Sequence, residues 1–141
     1  MLQSGRTVPV DVAVTGDDGS LRLPIDVRRA GWWNGSARIG DPLGSIVVAA
    51  HVDSFTQGLG AFAELLAARP GDHLALGASR LSQEYRVVSA RLVPKASLAE
   101  SSSLFSAAGQ ESLVLITCGG TYDAARGGYQ ENFVVKARPI S

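Results

Sequence analysis

The chain contains one cysteine, and its position is the first indication of chemistry. Cys118 follows the run Leu-Val-Leu-Ile-Thr and precedes two glycines, within the segment LVLITCGGTYD at residues 113–123. An unpaired cysteine inside an apolar strand is often a structural residue, because free cysteine is among the most buried residue types. A cysteine where the strand ends can instead face a substrate. From this segment alone, both interpretations stay open.

A histidine follows a second apolar run in the same way. His51 comes directly after Ile46–Ala50 in the segment SIVVAAHVDS, 67 residues before Cys118. If both strands end at the same rim of a barrel, the thiol and the imidazole meet. An imidazolium favours the thiolate of a group whose ordinary pKa is about 8.5, and an imidazole can protonate a leaving amine. The pair predicts nucleophilic acyl transfer, whereas a lone hydrogen-bonded histidine is the simpler alternative.

Acyl transfer also needs a group that stabilises the oxyanion of the tetrahedral intermediate. Arg126 is the arginine nearest to Cys118 in the sequence, although most surface arginines are simply solvated. Gly119 would let a substrate backbone approach closely. His73 follows Pro-Gly-Asp and is interpreted as a surface residue, and Asp53 as a turn former. A metal site made from one cysteine and two histidines is only a weak alternative, because no pair has ligand spacing, and no metal or cofactor is expected.

The composition is that of a globular chain. Its 141 residues, 45% hydrophobic and 18% charged, are enough for one domain with its own core. Thirteen basic and thirteen acidic residues balance, and without a basic stripe between aromatics nucleic acid is not favoured as a partner. No window approaches the roughly 18 consecutive apolar residues of a membrane span. The first residues, MLQSGRTVPV, also lack the regions of a signal peptide.

Short apolar segments between turn residues predict a mostly β fold. Alternating valines at positions 8–14 predict a strand, and Asp17-Asp18-Gly19 a hairpin turn. Further strands are predicted at 46–50, 74–76, 85–93, 113–117 and 133–137. Helical segments are predicted at 61–68, which Pro70-Gly71 ends, and within 97–108. We expect a closed or nearly closed antiparallel barrel with one or two short helices.

Taken in order, these segments resemble the sortases, the cysteine transpeptidases of Gram-positive surfaces, and are most similar to the actinobacterial class labelled F. The resemblance extends over nearly the whole chain, and four segments carry it: DDGSLRLPIDVRRAGWWNGSARIGDPLGSIVVAAHVDS, GAFAELLAARPGDHL, LVLITCGGTYD and GGYQENFVVKA. The resemblance implies an eight-stranded sortase-type β-barrel with one or two short helices. It also implies a single catalytic domain over residues 1–141.

The resemblance further implies a reaction and its residues. Cys118 would attack an LPxTG-type sorting signal after its threonine, and the thioester would be transferred to an amine of the cell wall, such as a peptidoglycan stem peptide. His51 would serve the leaving and entering amines, and Thr117 would shape the substrate and oxyanion site. Arg126 is the candidate for oxyanion stabilisation, because this chain has Gln130 where many relatives carry an arginine.

Substrate recognition in the family involves the loop before the cysteine strand, here about residues 94–111. Leu98, Leu104 and Phe105 are candidates for an apolar pocket that takes the leucine and proline of the signal, and simple packing on the barrel explains each of them equally well. Members are normally tethered by an N-terminal apolar helix. We therefore expect the full-length protein at the extracellular face of the membrane, anchored by a segment before Met1, and residues 1–141 to be soluble without that segment.

Two alternatives to a sortase enzyme stay open. A non-catalytic sortase-fold module that binds peptides would explain the absence of an arginine at position 130. An unrelated small barrel with a buried thiol would explain the apolar cysteine strand.

Overall fold

The computed structural model describes residues 1–14, 23–24, 26–39, 41, 44–54, 58–78, 81–94, 111–123, 125 and 128–140, with the backbone alone at 53–54, 78, 118–123 and 128–130. Within these ranges the strands are β1 Val10–Ala13, β2 Ala30–Trp33, β3 Ser45–Ala49, β4 Asp53–Ser54, β5 Gly58–Leu59, β6 His73–Ala78, β7 Leu81–Pro94, β8 Ser112–Asp123 and β9 Gly128–Pro139. A 3-10 helix spans Ala63–Ala67. No helix in these ranges has the length and apolar character needed to cross a bilayer.

Seven of the described strands form one curled sheet in the order β1-β2-β3-β8-β9-β7-β6, and β4 pairs with β5 in a separate hairpin. The predicted mostly β, sortase-type fold with few helical residues is confirmed. In the described part of the chain, β1 and β6 are the two ends of the sheet. An open cavity of about 500 Å³, lined mainly by apolar side chains, lies between these two strands.

The expectation of a wholly antiparallel sheet is wrong. β1 pairs with β2 in parallel, and so does β3 with β8. Parallel neighbours need a long crossover instead of a tight hairpin. The chain between β3 and β8 supplies this crossover, because it contains the helix and the β6–β7 pair. The predicted turn at 17–19 and the predicted helical segment at 97–108 lie outside the described residues.

Strand β3 and residues 112–117 of β8 are buried on both faces, as their continuous apolar runs predict. Alternate side chains enter two different clusters, because successive side chains of a strand point to opposite faces. The main cluster contains Ile46, Val48, Leu113 and Leu115, together with Leu65 from the 3-10 helix. The second cluster, on the other face, contains Val47, Ala49, Val114 and Ile116 with Trp33 packed against it.

Two short features fix the region around these strands. The 3-10 helix occupies the centre of the predicted helical segment 61–68 and ends before Ala68, whose backbone is extended. At the start of the β3–β8 pair, the hydroxyls of Ser45 and Ser112 are buried and lie 2.9 Å apart. This hydroxyl pair satisfies two polar groups that would otherwise be unpaired in the core.

Candidate active site

The parallel pairing of β3 with β8 sets the relation between the two residues of the predicted catalytic pair. Each residue of β3 lies beside the residue 67 positions later, from Ser45 beside Ser112 to Ala49 beside Ile116. His51 and Cys118 are separated by the same 67 positions. The register therefore brings the segment that carries His51 to the level of Cys118, although β3 itself ends at Ala49.

The expectation that the cysteine strand ends at Cys118 is wrong. β8 continues to Asp123 because β9 keeps pairing with it, with Cys118 beside Asn132 and Gly119 beside Glu131. What ends near residue 118 is the pairing with β3, whose last partner in β8 is Ile116. Among the described residues, one edge of β8 therefore loses its β3 partner after Ile116, whereas β9 still pairs with the other edge at Cys118. The register with β9 shifts between Gly119 and Tyr122.

Thr117 connects the two segments directly. Its side chain is buried, and its hydroxyl donates a 2.8 Å hydrogen bond to the carbonyl of Ala50, the residue before His51. The Ala50 amide in turn donates to the carbonyl of Ile116 at 3.1 Å. Both backbone groups of Ala50 are thus bonded to β8, one residue beyond the end of β3. The role in shaping the substrate and oxyanion site, which the resemblance implies for Thr117, stays a prediction.

His51 is partly buried and leads into the β4–β5 hairpin. Asp53, interpreted from the sequence as a turn residue, begins β4 and pairs with Leu59. The hairpin returns the chain to Gly60, whose amide donates to the carbonyl of Val52 at 2.8 Å. A Cβ atom at position 60 would overlap the His51 carbonyl oxygen and stand 3.0 Å from the Val27 carbonyl oxygen.

Sequence reasoning did not identify Gly60. The segment GLGAF shows a glycine before the predicted helix, but its closeness to His51 follows from the hairpin that folds position 60 back. His73 begins β6 and is exposed, as its sequence context predicts. Gln130 lies in β9, where the backbone alone is described.

Several predicted site residues cannot be placed relative to this pair. Arg126, Leu98, Leu104 and Phe105 lie outside the described residues, so their roles stay predictions. Within the ranges described, no group of three histidine, cysteine, aspartate or glutamate side chains is arranged to hold a metal ion.

A family model described as "Sortase domain" matches residues 5–140, nearly the whole chain. The chain belongs to the sortase family. Among curated proteins, no sequence matches this sortase domain.

Solved sortase structures share the fold at low sequence identity. Sortase C2 of pilus island 1 from Group B Streptococcus gives a TM-score of 0.73 at 19% identity, covering 100% of this chain and 72% of that one. Sortase C from Streptococcus pneumoniae gives a TM-score of 0.71 at 20% identity, covering 99% of this chain and 65% of that one. Sortase C-1 from Actinomyces oris gives a TM-score of 0.64 at 21% identity, covering 79% of this chain and 58% of that one. The domain therefore spans less than two thirds of the length of two of these three chains.

Proposed function

We propose that this sortase domain is a cysteine transpeptidase that cleaves an LPxTG-type sorting signal and transfers the acyl fragment to an amine. The observation that carries the proposal is the β3–β8 register, which brings the His51 segment level with Cys118 in a member of the sortase family. A thiol and an imidazole carried at the same level of two adjacent segments supply a nucleophile and a proton carrier.

In the first half of the reaction, the Cys118 thiolate attacks the carbonyl carbon of the signal's threonine. The carbonyl oxygen becomes an oxyanion, for which Arg126 and backbone amides are the proposed donors. The C–N bond then breaks, and the leaving amine takes a proton from the His51 imidazolium. The product of this step is a thioester between the substrate acyl group and Cys118.

In the second half, an amine of the cell wall attacks the thioester carbonyl. Neutral His51 accepts the proton that the amine loses, the C–S bond breaks, and the Cys118 thiolate is restored. A stem peptide of peptidoglycan is the proposed acceptor, and Leu98, Leu104 and Phe105 are the proposed contacts for the apolar part of the signal. Gly119, which has no side chain, would give the substrate backbone room.

The finer assignments are proposals of the same kind. We place this domain, residues 1–141, at the extracellular face of the membrane, reached through an N-terminal anchor of the full-length protein. The segments that resemble the sortases, in particular AGWWNGS before the histidine strand, favour the actinobacterial class F. Sorting-signal peptides and amine acceptors are the expected partners.

Cleavage of a fluorescence-quenched LPxTG peptide, with and without an added amine, tests the proposal. Cys118→Ala should abolish cleavage. Arg126→Ala should raise the activation barrier by about 3 kcal/mol, roughly a hundredfold in kcat, if its guanidinium holds the oxyanion. Arg86→Ala is the matched control, because Arg86 is an exposed arginine of β7 that lies beside Arg138, at the end of β9 remote from Asn132.

Persisting cleavage in Cys118→Ala would refute the transpeptidase mechanism. A wild-type chain that binds the peptide without cleaving it, and whose thiol resists alkylation near neutral pH, would favour the non-catalytic binding module. Near-normal activity in Arg126→Ala would move the oxyanion role to another donor.

A further inference from the structure

We propose that Thr117 and Gly60 are positioning residues that hold the His51 backbone in place relative to Cys118. Thr117 acts from the β8 side, through its hydrogen bond to Ala50. Gly60 acts from the hairpin side, through the close packing of its bare Cα against the His51 carbonyl. The inference rests on the proposed function, in which His51 and Cys118 exchange protons with the same substrate.

The Thr117 contact extends the attachment of the histidine segment beyond the regular strand. β3 ends at Ala49, so from that point the backbone is free to diverge from β8. The bond from the Thr117 hydroxyl and the bond from the Ala50 amide to Ile116 prevent this at Ala50. Because Thr117 precedes Cys118 and Ala50 precedes His51, one buried side-chain hydrogen bond couples the neighbours of the two reacting groups. A buried carbonyl that loses its donor is destabilised, so the bond favours this arrangement strongly.

The Gly60 contact limits movement of the His51 segment on the side of the β4–β5 hairpin. The position is crowded by two backbone carbonyl groups, those of His51 and Val27, and backbone atoms cannot rotate away as a side chain can. The φ angle of Gly60 is outside the left-handed region, so space and not backbone conformation demands glycine here. The hydrogen bonds from Gly60 to Val52 and from Ala61 to Val27 keep this turn against the histidine segment.

The two contacts together leave the His51 backbone little freedom. A displacement of about 1 Å in reacting groups can lower a rate by about a hundredfold, because proton transfer and attack need near-contact geometry. Removing either contact should therefore lower kcat more than it raises KM. It should also change how the reactivity of Cys118 depends on pH, because the imidazole then lies differently relative to the thiol.

The experiment compares substitutions that remove each contact with matched controls. Gly60→Ala introduces the overlap with His51, whereas Gly77→Ala adds the same methyl group at a site whose nearest atom, the Leu81 carbonyl oxygen, is at an ordinary 3.7 Å. Thr117→Val keeps the shape and removes the hydroxyl, and Thr117→Ser restores it. Ser112→Ala removes a comparable buried hydroxyl at the opposite end of the same strand pair.

Two measurements are made on each variant: kcat and KM for the quenched peptide, and the rate of iodoacetamide alkylation of the single cysteine from pH 5 to 10. We expect Gly60→Ala and Thr117→Val to lower kcat by about ten- to a hundredfold and to shift the alkylation profile. Thr117→Ser, Gly77→Ala and Ser112→Ala should keep the wild-type profile, even where thermal stability falls.

The proposal is overturned if Thr117→Val keeps the wild-type kcat and alkylation profile, whatever the behaviour of Gly60→Ala. It is also overturned if Ser112→Ala shifts the profile as much as Thr117→Val, because the effect would then be general loss of stability. A wild-type protein that does not cleave the peptide would refute the proposed function alone, since the alkylation profiles still test the positioning of His51.

Discussion

Replacing Tyr85 by phenylalanine should make folding more stable and less sensitive to alkali. Tyr85 lies in β7, is fully buried, and its hydroxyl has no hydrogen-bond partner among the described residues. Burial raises the pKa of Tyr85 to about 12, with a further contribution from the negative charge of Glu111. In the unfolded chain a tyrosine ionises near pH 10.

The magnitude follows from this difference in pKa. Between about pH 10 and 12 the folded protein keeps the phenolic proton and the unfolded chain loses it, so stability falls as the pH rises through this window. Below about pH 10 the phenol of Tyr85 is neutral in both the folded and the unfolded protein, so its ionisation does not yet reduce the free energy of unfolding. Two pKa units correspond to about 2.7 kcal/mol of free energy of unfolding, lost by about pH 12. At neutral pH, Tyr85→Phe should raise the free energy of unfolding by about 1 kcal/mol, because the substitution removes a buried hydroxyl that lacks a partner.

Urea unfolding of both proteins, followed by tryptophan fluorescence from pH 7 to 12, measures this. The lysines and the other tyrosines titrate equally in the two proteins, so the difference between their free energies of unfolding isolates Tyr85. That difference should grow in favour of Tyr85→Phe above about pH 10. A difference that stays constant from pH 8 to 12 would refute the ionisation argument. A less stable Tyr85→Phe at pH 7 would show that the hydroxyl is hydrogen-bonded in solution.

Two further predictions concern the stability of the fold. The Arg29 guanidinium donates hydrogen bonds to Asp11 and lowers its pKa, so this pair stabilises the fold above about pH 4, and the effect is lost as the pH falls through the lowered pKa. Asp11→Asn should therefore be less stable than wild type in urea at about pH 6, and the difference should narrow as the pH falls below about 4. A difference that stays equal from about pH 6 to about pH 2 would contradict this. Leu65→Ala should lower the free energy of unfolding by about 2–5 kcal/mol, because Leu65 is fully buried in the main cluster. Leu66 is the next residue and is exposed, so Leu66→Ala should change the free energy of unfolding little. Similar losses in the two variants would show that the helix does not pack as described.

Local pattern was sufficient for most of the architecture. Continuous apolar runs predicted β3 and the first half of β8, and the 3-10 helix lies inside the segment that Pro70-Gly71 ends. These features depend on the types of residues a few positions apart, and such local patterns can be read directly from the sequence. The resemblance to the sortases is confirmed at the level of the family by the match over residues 5–140.

The candidate site was predictable only in part. The sequence pointed to Cys118 and His51 because each follows an apolar run, and the parallel register brings their segments to the same level. It could not show that β8 continues past Cys118, because that depends on pairing with the distant β9. The roles of Arg126 and of the three apolar pocket candidates remain predictions.

The sequence by itself determined a mostly β chain of the sortase family, with its thiol and one imidazole each placed after a buried run. Only the tertiary structure decided how these runs lie against each other. It made β3 and β8 parallel, turned the Thr117 hydroxyl onto Ala50, and packed Gly60 against the His51 carbonyl. The physical reason is that hydrogen bonds and close contacts between distant segments depend on register and crossover, and neither is encoded in the spacing of side chains along one strand.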